Sequence, residues 1–283
     1  MNDTKKYYYD YEDYEDGDKN AATMAEEILN NPDLRSLKRI VVGCWGQSYD
    51  NNCQSILDLF ARNSEKFSHI ESLFIGDMDS EECEVSWIEQ GNYSQLLKSL
   101  KNLKHLTIKG SNNLSLGDLN HAELESLEII CGGLPKTVIL EIANSNLPRL
   151  KRLNLYIGVD NYGFDGSIED ITKLIQNRNF KNLEYLGLGD SEIQDEIVQA
   201  VLSSFDFPNL KVLDFSNGTL SDKGAQLILD NADKLKKLEL LDLQYHFITD
   251  AFVSKLKRLP LRINLSEQQE DDGEYGNYPM LTE

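Results

Sequence analysis

The chain has 283 residues, 28 basic against 48 acidic side chains, a formal net charge of −20 and a hydrophobic share of 40%. That charge repels phosphate backbones and anionic head groups, which argues against nucleic acid or a membrane surface as partner and for a basic protein or peptide. The apolar share suffices for a continuous core, yet no run reaches the roughly 18 apolar residues a spanning helix needs.

The opening Met1-Asn2-Asp3-Thr4-Lys5-Lys6 lacks a basic-plus-apolar leader. Cys44, Cys53, Cys83 and Cys131 form no CxxC pair and have no His at metal spacing, so they read as free buried thiols and the expected compartment is cytoplasmic. Residues 1–20 carry −4, with Tyr7, Tyr8, Tyr9, Tyr11 and Tyr14 set among acids. Without helical or strand periodicity they read as a disordered acidic tail. Residues 21–36 then supply a short amphipathic helix, ending before Pro32, that would cap the first repeat.

From residue 37 an apolar triplet recurs in the form Leu-x-x-Leu-x-Leu. Its copies are Leu37/Ile40/Val42, Ile70/Leu73/Ile75, Leu103/Leu106/Ile108, Leu124/Leu127/Ile129, Leu150/Leu153/Leu155, Leu183/Leu186/Leu188, Leu210/Leu213/Phe215 and Leu238/Leu241/Leu243, with Ile263 and Leu265 as a fragment of a ninth. The middle residues step by 33, 33, 21, 26, 33, 27 and 28 positions. This is a leucine-rich-repeat array over 37–265. Each copy is read as a short strand followed by a helical crossover, such as Ile56/Leu59/Phe60, Ile168/Ile171/Leu174/Ile175 and Ile197/Val198/Val201/Leu202. Crossovers force the strands parallel, and wide helices stacked beside narrow strands force curvature. The predicted fold class is therefore an α/β horseshoe, a right-handed solenoid with parallel strands on its concave face and helices on its convex face. Ser167-x-x-Asp170, Ser191, Ser221-Asp222 and Thr249-Asp250 mark helix starts. Residues 266–283 close the chain as a second acidic tail.

Alternation sends one set of strand side chains away from the core, and these line the concave wall. In the C-terminal half they gather Tyr156, Tyr185, Asp214 and Asp242, with Asp190 and Tyr245 a step further on; Glu128 lies on the fourth repeat. Aromatics beside acids are the residue types that anchor a basic partner. The loop after the second triad, Asp77-Met78-Asp79-Ser80-Glu81-Glu82-Cys83-Glu84, concentrates carboxylates, and Asp77 joins the candidate contacts. Its acids could in principle hold Ca²⁺ or Mg²⁺ but lack the order of an EF-hand, so a solvated acidic loop is the simpler reading. Trp45 and Trp87 are both expected to pack under the N-terminal turns. His69, His105, His121 and His246 fall on separate repeats, and no GxSxG, GxxxxGK[ST] or GxGxxG stands in place. No catalytic residue, cofactor or metal ligand is assigned.

Two stretches are more specific than the repeats: Val42-Gly43-Cys44-Trp45-Gly46-Gln47-Ser48-Tyr49-Asp50, and the string Glu81-Glu82-Cys83-Glu84-Val85-Ser86-Trp87-Ile88 after Leu73-Phe74-Ile75-Gly76. With Asp190-Ser191-Glu192-Ile193 and the closing Asn264-Leu265-Ser266, the chain resembles a family of bacterial cytoplasmic leucine-rich-repeat proteins of unassigned activity. The resemblance implies a non-enzymatic interaction role; some members are encoded near radical-SAM and ATP-grasp enzymes or resemble chains with a WGR domain, which is absent here. Repeat lengths of 26–28 also resemble the ribonuclease-inhibitor subtype. Where that pattern places Asn or Cys, this chain has Trp45, Met78, Ser111, Gly132, Gly158, Ser191, Gly218 and His246, so other groups must satisfy those turns.

The function expected is a non-catalytic scaffold that binds a protein or peptide on the concave sheet. Two alternatives stand beside it. One is a GTPase-activating horseshoe regulator, suggested by the repeat subtype and the acidic C-terminal tail. The other is an accessory or metal-binding protein of a modification pathway using Asp77, Glu81, Glu82 and Glu84.

Overall fold

In each repeat the second and third residues of the apolar triplet point to one side of a short strand and vanish from solvent: Ile40, Leu73, Leu106, Leu127, Leu153, Leu186, Leu213 and Leu241 are all 0–1% exposed. The computed structural model describes residues 3–204, 206–270 and 276–282. It divides into two compact units, one of Met1–Cys131 with Asn144–Leu150 and one of Gly132–Ala143 with Lys151–Thr282. Both have α/β leucine-rich-repeat architecture, with parallel strands hydrogen-bonded in chain order.

The first unit contains strands β1 (Thr4–Tyr7), β2 (Arg39–Val42), β3 (Ser72–Ile75), β4 (His105–Lys109) and β5 (Ser126–Ile130). Its helices are α1 (Tyr11–Glu15), α2 (Ala21–Leu29), α3 (Gln54–Arg62) and α4 (Ser94–Ser99), and α3 packs against both α2 and α4. Register is strict: Ile40, Leu73, Leu106 and Leu127 face one another across neighbouring strands. No helix forms between β4 and β5 among the described residues, contrary to the expectation that every triplet leads into one. The 21-residue step there leaves room only for extended chain.

β1 corrects the reading of residues 1–20 as a disordered tail, and it moves the repeat boundary upstream of residue 37. β2 would otherwise present an open edge. Thr4–Tyr7 pairs with Arg39–Val42, and the Asp3 carbonyl accepts the N–H groups of Lys38 and Arg39 at 2.7 and 3.0 Å. Alternation buries Tyr7 and Tyr9 and exposes Tyr8. The buried phenols find partners, Tyr7 accepting from Asn31 Nδ2 at 2.6 Å and Tyr9 lying 3.2 Å from the Thr23 hydroxyl. α2 starts in a capping box built by Asn20 and Thr23, yet the edge of β2 is covered by β1 rather than by α2.

The second unit holds β6 (Arg152–Gly158), β7 (Tyr185–Ser191), β8 (Val212–Asp214), β9 (Leu240–Asp242) and β10 (Ile263–Asn264). Its helices are α5 (Lys136–Ala143), α6 (Ile168–Ile175), α7 (Gln194–Ser203), α8 (Asp222–Asp230), α9 (Ala232–Leu235) and α10 (Asp250–Leu256). Gly158, with φ +75°, turns the chain where a Cβ would lie 1.8 Å from the Gly132 carbonyl oxygen, so no other residue fits. Ser167 and Asp170 form the expected capping box, and Ser221 accepts from Lys223 N–H at 3.1 Å. Ser191 does not start a helix: it ends β7, and α7 begins at Gln194. Thr249 spends its hydroxyl on Asp222 instead of on its own helix.

Just before strands β1 to β9 runs a row of alternating charge: Asp3, Lys38, Glu71, Lys104 and Glu125 in the first unit, and Lys151, Glu184, Lys211 and Glu239 in the second. Backbone bonds link successive members, each carbonyl accepting from the next residue of the row. Glu71 pairs with Lys38 at 3.0 Å and with Lys104 at 2.8 Å, and Lys211 pairs with Glu184 at 2.5 Å. Opposite charges on adjacent strands favour this register over one that sets like charges side by side.

Candidate functional site

Four of the eight sequence-predicted contacts, Tyr156, Tyr185, Asp214 and Asp242, lie on the solvent-side face of β6 to β9. Register sets Arg152 beside Tyr185, and the guanidinium stacks 3.5 Å from the ring centroid. The Tyr185 hydroxyl donates to Asp214 on β8. Burial, followed by the charge of Asp214, raises the Tyr185 pKa, so the phenol stays protonated as a donor. Asp242 is the register partner of Asp214. Burial is the first cause of its raised pKa, with Asp214 adding to it.

The two acids are not bare charges waiting for a partner. Asp214 Oδ1 accepts the Ser216 N–H at 2.8 Å, and Asp242 Oδ1 accepts the Gln244 N–H at 3.0 Å and Asn264 Nδ2 at 2.9 Å. Asn264 repeats the turn with the Ser266 N–H at 3.2 Å. These side chains satisfy the backbone where each strand ends, the role the sequence left open. His246 does the same further on: it is fully buried and its Nδ1 accepts the Ile248 N–H at 3.1 Å, as Ser191 Oγ accepts the Ile193 N–H at 3.2 Å.

Asp190, near the end of β7, and Tyr245, in the turn after β9, lie apart from this face, and both have left-handed backbone (φ 52° and 57°). Asp190 is wholly buried, and burial pushes its carboxyl up to about 8. Tyr156 lies on β6 opposite Gly189. Asp77 and Glu128 belong to the first unit and do not join the group. Asp77 forms an ion pair with Lys6 at 3.0 Å, and Glu128 accepts from the Thr107 hydroxyl at 3.5 Å. Within the acidic loop Asp79 Oδ1 accepts the Glu81 and Glu82 N–H groups, and Glu82 returns a bond to the Asp79 N–H, so these acids serve their own turn. Among the described residues no group of three or more His, Cys, Asp or Glu could hold a metal ion, and no helix is long and apolar enough to cross a membrane. All four cysteines are buried and free, and burial raises Cys53 to about 12 and Cys83 to about 11.

Of the two tryptophans, Trp45 is fully buried, with its indole N–H donating to the Asn51 carbonyl at 2.7 Å. Trp87 is 54% exposed and corrects the expectation that both would pack inside. Arg152 belongs to the strand face and was not singled out by sequence as a contact. Only the register shows that its neighbour is Tyr185.

A protein from Bacteroides fragilis, of known crystal structure from a structural-genomics consortium, is 41% identical across 99% of this chain and 78% of its own, with a TM-score of 0.91. The chain belongs to the family of that protein. An internalin from Listeria monocytogenes (17% identity, 83% of this chain and 63% of its own, TM-score 0.39) and a leucine-rich-repeat protein from Leptospira interrogans (16%, 94% and 60%, 0.42) are too distant to bear on function. No protein-family model matches the chain, and neither does any curated protein.

Proposed function

We propose that the protein is a non-catalytic, cytoplasmic scaffold that holds a basic protein or peptide on the strand face of its second unit. One observation carries the reading: Tyr185 is fixed between the Arg152 guanidinium and the Asp214 carboxylate, with Asp242 beside them. An aromatic ring already immobilised loses little entropy when a partner covers it, and the acids and the net charge of −20 steer a cationic partner toward it.

Because both acids also hold turn N–H groups, the informative change is Asp214→Asn with Asp242→Asn, which keeps one acceptor oxygen in each side chain for its turn and removes the charge. Native lysate is passed over immobilised wild-type and double-variant protein at low salt. A polypeptide retained by the wild type and lost by the variant supports the reading; equal retention overturns it.

A further inference from the structure

The last described residues lie across the turns of three repeats. Leu281 donates its N–H to Asp190 Oδ1 at 2.9 Å, Met280 donates its N–H to the Asn217 carbonyl at 2.8 Å, and the Tyr245 hydroxyl donates to the Tyr278 carbonyl at 3.3 Å. Pro279, between them, is buried. The three receiving residues hold one position in successive repeats, two past Leu188, Phe215 and Leu243, and all are left-handed, with φ of 52°, 66° and 57°. Asp and Asn tolerate that geometry; a tyrosine held in it is a genuine outlier. Their own N–H groups are spent on the next repeat, Asp190 on Ser216, Asn217 on Gln244 and Tyr245 on Ser266. What remains to meet a ligand is a carboxyl, a carbonyl and a phenol, repeated at the spacing of neighbouring strands. Such a row reads the backbone of a peptide that crosses the repeats.

We infer that this rim of strand-end turns is a binding site for an extended peptide, and that the chain's own residues 276–282 are its resident occupant, exchangeable for a partner's segment. A second observation points to a ligand. Asp190 is 0% exposed, yet its Oδ2 has no hydrogen-bond partner. The resident segment leaves the most deeply buried group of the site half satisfied, so a partner peptide that brings a hydroxyl, or a carbonyl to the protonated carboxyl, within reach of Asp190 Oδ2 gains a bond that the resident does not make. Burial raises the Asp190 pKa and the Leu281 N–H opposes that rise. The inference does not rest on the strand-face reading, since the tail's bonds touch neither Tyr185 nor Asp214.

The test uses the full chain, a chain lacking residues 276–283, and a fluorescent synthetic peptide of that sequence, Gly-Asn-Tyr-Pro-Met-Leu-Thr-Glu, followed by anisotropy. The shortened chain is expected to bind the peptide, and the full chain to bind it at least about tenfold more weakly, because the tethered copy competes at high effective concentration. Asp190→Ala in the shortened chain should cost a further tenfold or so, the scale of a lost hydrogen bond. Should truncation disturb folding by circular dichroism, Leu281→Pro in the full chain removes the donating N–H and restrains the tail's backbone, and it should raise peptide binding above that of the wild type. No binding to a folded shortened chain, equal binding by both chains, or no gain in the proline variant would overturn the inference.

Discussion

The two ends of the chain look alike in sequence and behave differently. Each is acidic, tyrosine-bearing and poor in aliphatic residues, yet Thr4–Tyr7 is a strand in full register with β2 while residues 276–282 form no strand and rest on turns. The N-terminal segment buries Tyr7 and Tyr9 and completes the backbone bonds of an edge; the C-terminal segment buries Pro279 and makes single bonds to three repeats. A segment that completes an edge belongs to the folded core, whereas one that visits side chains and carbonyls already fixed by other bonds can leave without undoing them.

Deletion draws the contrast most sharply. Removing residues 1–9 should lower the stability of the first unit by about 4 kcal/mol or more, on the scale of losing a buried aromatic, with an exposed strand edge added. Removing residues 276–283 should cost about 1 kcal/mol, since few side chains are buried there. Urea titrations of the two deletions measure both. Equal losses would erase the distinction between a core strand and a seated ligand.

The C-terminal turns must stand unaided if the tail is to leave them. His246, one residue past Tyr245, is the support: its Nδ1 holds the Ile248 N–H inside the fold. Burial lowers the His246 pKa, which keeps that nitrogen free to accept. His246→Ala should cost about 3 kcal/mol through an orphaned N–H and a cavity, and His246→Asn, which restores an acceptor, about 1 kcal/mol. Thermal unfolding of the two variants in a chain lacking residues 276–283 gives the comparison. A neutral alanine variant would mean that the turn is held by the tail after all.

Legibility in the sequence followed the same division. The triplets announced the eight central strands because Leu and Ile at fixed spacing have only one place to go. β1 was hidden because an edge strand needs a hydrogen-bonding partner more than an apolar run, and Tyr7 and Tyr9 bury rings while keeping hydroxyls bonded, so charged neighbours masked the alternation. Asp214 and Asp242 were legible as outward-facing but not as turn supports, because the N–H groups they satisfy become orphans only once the strands end at those residues. The C-terminal site was invisible for a further reason: Asp190 and Leu281 are 91 positions apart, and nothing in Tyr278-Pro279-Met280-Leu281 names its receptor.

The smallest expected effect concerns the alternating charge row of the first unit, and it tests whether that row helps to hold β1 to β4 in register. Glu71 lies between Lys38 and Lys104, whose hydrogen bonds, Lys104 first, hold its carboxyl down at about 2, below its usual value of 4.5. A carboxylate with a depressed folded-state pKa contributes stability above the unfolded value and loses it as pH falls through the folded one. The contribution is therefore complete above pH 4.5 and should fade between 4.5 and about 2. Because the pairs are more than a third exposed, Glu71→Gln should move the neutral melting temperature by only about 2 °C or less, with the difference shrinking further in 1 M salt. Its signature is the pH profile: wild type and variant should converge as acid protonates Glu71. Parallel profiles over that window would show that the row is a surface decoration and that register is set by the leucines alone.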